Sequence, residues 1–267
     1  MRIFLFLILL LAAQPAFAKE YRATYDVYAG GIHALQTRMD YKENDGRYDV
    51  KVASETYGLL SKIVRWFATF KTEGWVTKSG YQPQLHISDT TSKGKHEINT
   101  YKYDKNGKFL SFTQIVDGKD ETRKDLDPSI MAGTTDVISA VFDMAAKAGQ
   151  GSCAHQDMIF DSERSYRLEF RNSKKTNLNP TKYGSFSGEA VSCSVRVTPV
   201  GGKWHKKPRG WLKIQEQGIK NGFPPTIWMA NISKDPELPT VPVRIMVKTD
   251  FGTFVAHLTS FKEKPGK

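Results

Sequence analysis

Apolar and polar residues alternate along most of this chain, the period-two signature of strands with one buried face. In YRATYDVY one set is Tyr21, Ala23, Tyr25 and Val27; in LQTRMDY it is Leu35, Thr37, Met39 and Tyr41; in RYDVKVAS it is Tyr48, Val50 and Val52. Gly30-Gly31 and Asn44-Asp45-Gly46 separate these runs, and Asp-Gly favours a tight hairpin turn. Further strands are predicted over 70–77, 95–103 and 108–116, the last two parted by Asp104-Lys105-Asn106-Gly107. Connections this short pair neighbouring strands antiparallel. The pattern resumes in QDMIFDSERSYRLEFR, with Tyr166, Leu168 and Phe170 on one face. The polar stretch NSKKTNLNPTKYG reads as a loop, and EAVSCSVRVTP then places Val191, Cys193, Val195 and Val197 together. Later strands are expected near 211–217, 226–232, 241–249 and 253–262, punctuated by Pro208, Pro224-Pro225, Pro236, Pro239 and Pro242.

Two stretches follow a helical period instead. GLLSKIVRWF spaces Leu59, Leu60, Ile63, Val64 and Phe67 as one helical face, while Val64, Trp66, Ala68 and Phe70 alternate; this predicts a short helix near 58–65 running into a strand. Residues 128–149 carry the main helix, with Thr134, Thr135 and Asp136 as N-cap residues, an apolar stripe of Val137, Ile138, Val141, Met144 and Ala145, and Gly149 at its end. No linker or repeat interrupts the chain. The expected fold is mainly β, a curved antiparallel sheet (half-barrel or β-spiral) with these two helices, in a single domain over 19–267.

The first residues change the compartment. MRIFLFLILLLAAQPAFA has one cation, Arg2, an apolar run from Ile3 to Ala13, and the triplet Ala16-Phe17-Ala18, which reads as a signal peptide cleaved after Ala18. The run falls short of the roughly 20 residues that span a bilayer. No cysteine lies near the cleavage point to carry a lipid anchor. The expected location is the periplasm, with no transmembrane segment in the mature chain. Export also redirects the charge, 39 Lys+Arg against 28 Asp+Glu. Outside the cytoplasm a basic surface meets anionic lipid or lipopolysaccharide rather than nucleic acid. Cys153 and Cys193 are the only cysteines, and in an oxidising compartment the pair reads as one structural disulfide.

Signatures of catalysis are scarce. Six histidines include no His-x-x-x-His pair, there is no Cys-x-x-Cys, and no glycine-rich phosphate loop appears, so no metal or cofactor is expected. GSFSG at 184–188 has Phe186 where a nucleophile elbow needs serine, and SKGK at 92–95 lies in a polar turn rather than opening a helix. Asp136 and Ser139 have the residue types of an acid and a nucleophile, but their position at a helix start favours capping. His155, His257 and the pair Asp161/Arg164 are read as structural. GGKWHKKPRGW at 201–211 sets Lys203, Lys206, Lys207 and Arg209 between two tryptophans; as a loop between strands it offers a contact for an anionic surface. The aromatic strand faces enclose either an ordinary core or a hollow that takes an apolar ligand.

DVISAVFDMA, GSCAHQDMIFDSERSYRLEF, YGSFSGEAVSCSVRVTPVGG and LPTVPVRIMVKTDFGTFVAHL, in that order, resemble the bacterial family called domain of unknown function 3108. Asp136 to Ala140 match its helix motif, Phe160-Asp161 its turn (with Ser162 for the usual glycine), and Leu238-Pro239 with Pro242-Val243-Arg244 its last motif. The resemblance spans about Tyr21 to Phe261. It implies an exported single-domain β-protein, similar in outline to periplasmic lipoprotein carriers of the LolA/LolB type and to an alphaproteobacterial envelope-integrity family, with no catalytic residues to carry over. The function expected is non-enzymatic envelope maintenance, binding a lipid or other amphiphile in the concave face. The alternatives are a scaffold with a filled core that binds envelope proteins and, third, a cell-wall or lipid hydrolase.

Overall fold

The computed structural model describes residues 18–207, 210–233, 238–250 and 252–264. Strands β1 (Lys19–Ala29), β2 (Ile32–Asn44), β3 (Arg47–Thr56), β4 (Trp66–Thr77), β5 (Gly80–Ser92), β6 (Lys95–Tyr103), β7 (Phe109–Val116) and the short β8 (Lys119–Asp120) follow one another as an antiparallel meander. A second meander holds β9 (His155–Asp161), β10 (Arg164–Leu178), β11 (Gly188–Gly202), β12 (Thr226–Ala230), β13 (Val241–Thr249) and β14 (Gly252–Lys264). β1 pairs with β14, which joins the two into one 14-stranded sheet with β8 and β9 at its edges. This is the curved, mainly β architecture that the alternation predicts. The hairpin at Asp45-Gly46 has φ of 50° and 70°, the paired positive values of a tight two-residue turn.

The edges approach without pairing. Tyr101 of β6 and Phe112 of β7 meet Phe160 of β9 at ring-centroid distances of 5.9 and 5.5 Å. Among the described residues three α-helices accompany the sheet: α1 (Leu60–Ile63), α2 (Val137–Gly149) and α3 (Trp211–Lys220). α2 lies on the route from edge to edge and fills much of the curl. Phe142 stacks on Tyr41 at 5.1 Å and tilts against Tyr81 at 5.3 Å, while Ala140, Met144, Ala145 and Ala148 pack with Leu168, Phe170, Val195 and Met229. Burying each such large side chain contributes about 2 kcal/mol, so this helix anchors the core. The Cys153–Cys193 disulfide, with Cα atoms 5.5 Å apart, ties the end of α2 across β10 to β11.

Several details differ from the sequence reading. The main helix starts at Val137, not 128: Pro128–Ile130 is a single 3₁₀ turn, and Gly133 at φ 67° and extended Asp136 (ψ 160°) break the run. The helical face of the 58–67 stretch is not buried, since Leu59 and Ile63 project into solvent at 69% and 75% exposure. Residues 172–178, read as loop, continue β10 through pairing with β11 down to buried Leu178. The stretch 211–217 is not a strand but the first two turns of α3, where the alternation of Leu212, Lys213 and Ile214 misleads. β5 escaped prediction because Pro83 interrupts it. Pro83 sits at a β-bulge opposite Gly74, where any Cβ would lie 2.0 Å from the Gln82 carbonyl oxygen. Among the described residues no helix is long and apolar enough to cross a membrane. The leader up to Phe17 and Arg209 lie outside the described residues.

Candidate functional site

α2 leaves one part of the curl uncovered. There the inward residues Leu168 and Phe170 of β10, Val195 and Val197 of β11, Ile227 of β12 and Ile245 of β13 face Val137 and Val141 of the helix across a cavity of about 670 Å³. Trp204, His205, Gly210, Trp211 and Leu212 of the basic-aromatic stretch close one side, and Asp161, Arg164 and Tyr166 stand at its polar end. Trp204 is held in place by donating its Nε1–H to the Gly201 carbonyl at 2.8 Å, by an edge contact with Tyr166, and by the Arg164 guanidinium 4.8 Å over its ring. α3 is fastened by Gln215, whose amide accepts from Val197 N at 2.6 Å and donates to Val197 O at 3.0 Å, as a neighbouring strand would. Gly218 makes room for the chain to fold back after α3, since a Cβ there would lie 2.8 Å from Phe223 O, whose own amide donates to Gly218 O. Lys203, Lys206 and Lys207 are exposed on the same loop.

A second, polar cavity of about 230 Å³ adjoins the first, and Val137, Asp161 and Tyr166 line both. It is built on a buried network around the helix N-cap. Asp136 Oδ1 accepts from Ile138 N (2.9 Å), Ser139 N (3.2 Å) and the Thr72 hydroxyl (3.0 Å), while Oδ2 accepts from the Ser139 hydroxyl (2.5 Å). The Tyr48 hydroxyl, 2.7 Å from Ser139 Oγ, then donates to it. Thr72 also meets Nδ1 of His86, its direct cross-strand neighbour, at 2.7 Å. Burial pushes the His86 imidazole below its usual pKa against the pull of Asp136, which keeps it neutral. Asn99, Tyr101 and Tyr103 of β6 complete the wall.

A third cluster joins α2 to the sheet edge. Asp143 on α2 and His155 and Asp157 on β9 present ligand atoms within 4.8 Å of one another. His155 Nε2 bonds Asp157 Oδ2 at 2.5 Å, and Asp143 Oδ1 accepts from Tyr81 N at 2.8 Å beside Gly80, where a Cβ would lie 2.2 Å away. These residues have the donor types for a divalent cation; as placed, Asp143 Oδ2 lies 4.0 Å from His155 Nε2, an ion-pair distance rather than a hydrogen bond. Burial pushes Asp143 up to about 6. The folded state thus holds this proton more tightly than the unfolded chain, so stability is lost as pH rises from about 4 to 6. Asp143→Asn keeps the acceptor for Tyr81 and removes the buried charge. With chelator present the variant should melt about 3 °C above the parent at pH 7.5, and no higher at pH 4, allowing for partial solvent screening. Equal melting temperatures at both pH values would refute it.

The residues picked from sequence are only partly gathered here. The lysines stand beside the large cavity, the disulfide behind it, and Asp136 and Ser139 are helix-capping groups as expected. His257 is buried against Gly184 of the GSFSG stretch, where a Cβ would lie 2.7 Å from its Nδ1, so that glycine serves packing. Ser139 spends its hydroxyl on Asp136 and Tyr48 rather than on a histidine. The sequence reading passed over Thr72, His86, Asn99, Tyr103 and Asp143. A usable signal existed only for His155-x-Asp157, since residues two apart on a strand share a face.

Fold and site together define an open, curled β-sheet wrapped on a helix, with an apolar hollow beneath a tryptophan loop. The chain belongs to the family described as protein of unknown function DUF3108, whose model matches residues 24–259. No curated protein matches it. Among solved structures it is similar to a beta-barrel-like protein of domain of unknown function DUF1849 from Brucella abortus, at 14% identity and a TM-score of 0.44, covering 92% of this chain and 98% of that one.

Proposed function

We propose that this protein is a non-enzymatic periplasmic component of envelope maintenance that holds a single-chain amphiphile in the hollow beside α2. The observation that carries the reading is the apolar cavity of about 670 Å³ under Trp204 and Trp211. That size and lining suit a small apolar ligand. Exposed Lys203, Lys206 and Lys207 beside it would bring the opening to an anionic membrane surface. The predicted leader and the disulfide support export. A second reading, a scaffold with a filled interior, draws on α2, whose Phe142 occupies the half of the curl lined by Tyr41 and Tyr81.

Titration with 1-monododecanoylglycerol below its micellar concentration tests the first reading, because Trp204 and Trp211 line the cavity and report on it. The parent should show a saturable change in tryptophan emission. Val141→Phe, which fills the hollow, should weaken binding at least about tenfold with unchanged circular dichroism. Anionic vesicles should bind at low salt and release at about 0.5 M salt. A flat titration with the monoglyceride and with other dodecyl probes would leave the scaffold as the better account.

A further inference from the structure

The polar cavity holds hydrogen-bonding groups that the protein itself leaves unsatisfied. Asn99 and Tyr103 are 8% and 3% exposed, and Asn99 Oδ1 and the Tyr103 hydroxyl have no partner. The Asn99 amide cannot be turned to hide this, because its Nδ2 donates to the Glu97 carboxylate at 2.9 Å. Unpaired buried polar atoms each cost about 1–3 kcal/mol, and natural folds keep few of them. The state of His86 follows from the same network. The one hydrogen of the Thr72 hydroxyl goes to Asp136 Oδ1, since a carboxylate only accepts. The 2.7 Å contact between Thr72 and His86 is therefore an Nδ1–H donated to Thr72, and neutral His86 is left with a lone pair at Nε2. Of the polar groups on residues that line the cavity, Asn99 Oδ1 and the Tyr103 hydroxyl are the ones without a partner, and neutral His86 keeps an acceptor lone pair at Nε2.

Charge narrows the choice of guest. Asp136, 3% exposed, and Asp161 both line this cavity, while Arg164, which lines the neighbouring apolar hollow, donates to Asp161 at 3.0 Å. An anionic head would meet two carboxylates there, and an ammonium would lose its hydration to a site whose histidine is already held neutral. Hydroxyl groups match the acceptors without either cost. We infer that the polar cavity seats the uncharged, hydroxyl-bearing head of the amphiphile, with the acyl chain lying past Val137 and Tyr166 in the apolar hollow. This rests on the reading proposed above and adds to it an orientation, head inward, and a ligand class, acyl esters or ethers of small polyols.

Three probes with one dodecyl chain separate the possibilities: 1-monododecanoylglycerol, dodecanoate and dodecylammonium, titrated at pH 8 against the full chain. The monoglyceride should bind at least about tenfold more tightly than either ion. Tyr103→Phe removes a hydroxyl that has no partner in the free protein, so its melting temperature should be equal or higher. Its affinity for the monoglyceride should fall about fivefold, and that for dodecanoate should not change. Asn99→Ala is the second variant and should act in the same direction. An ion bound as tightly as the monoglyceride, or Tyr103→Phe without effect on the monoglyceride, would overturn the head-inward seat while leaving the hollow as a binding site, with water alone in the polar cavity. No binding of any probe would overturn both.

Discussion

Asp136→Ala is expected to lower the melting temperature by roughly 10 °C. The carboxylate does three jobs at once: it caps α2 through two backbone amides, and it accepts the Thr72 and Ser139 hydroxyls from a position nearly closed to solvent. Loss of the cap costs about 1 kcal/mol. Two buried hydroxyls deprived of an acceptor add about 1.5 kcal/mol each, because each retains a desolvated donor. A total near 4 kcal/mol corresponds to roughly 10 °C in a chain of this size. Asp136→Asn should lose about half as much, since its Oδ1 can still accept from the helix amides and its Nδ2 can donate to Ser139. The two variants, compared by thermal denaturation, separate the cap from the network. Loss in the alanine variant no greater than that of an exposed helix cap, about 1 kcal/mol, would show that the network is not holding the helix.

The second large effect comes from the disulfide. Cys153→Ser with Cys193→Ser opens a closure of 40 residues. In the chain-entropy account that loop is worth about 4 kcal/mol, again roughly 10 °C. The sulfurs lie in the cluster formed by Ala140, Met144 and Ala148 with Leu168 and Val195, so the serines also place polar atoms in an apolar setting. Reduction of the parent should reproduce most of the shift without that second cost. A melting temperature unmoved by both treatments would show that α2 is fixed by its other contacts alone. Because the cross-link joins the end of α2 to β11, which also lines the apolar hollow, reduced protein should bind the monoglyceride more weakly before it unfolds.

The fold was legible wherever one face of a strand is buried. β6 and β13 coincide with the alternating segments 95–103 and 241–249, because Tyr101, Tyr103, Val241, Val243 and Val247 point inward at every second position or nearly so. Legibility failed where a tertiary contact replaces the apolar pattern. Pro83 of β5 is tolerated through the bulge at Gly74, and β10 beyond Arg171 is set by its register with β11, with Leu178 at the end of the strand as its buried apolar side chain there. α3 carries Trp211, Leu212, Ile214 and Ile219 at helical spacing, but its fully buried positions are Gln215 and Gly218, and the short run Leu212-Lys213-Ile214 fits a strand as well as a helix. The site was less legible still. Trp204 and the lysines stood out as a local motif, and only the curl of the sheet shows that the motif walls a hollow. Thr72, His86, Asn99 and Asp136 come from three strands and a helix start, and nothing in their local sequence announces the meeting.

The pairing of β1 with β14 sets the order in which this chain can finish folding. Glu20 lies opposite Lys264, so the central seam of the sheet joins the first strand to the last. Each meander can grow from neighbours close in sequence, but the seam must wait for the whole chain, and such long-range closure makes folding slow. A chain emerging from its amino end presents β1 as a bare edge, open to foreign strands, until β14 arrives. β1 and β14 therefore act as a clasp: the sheet is continuous only once these two strands have met.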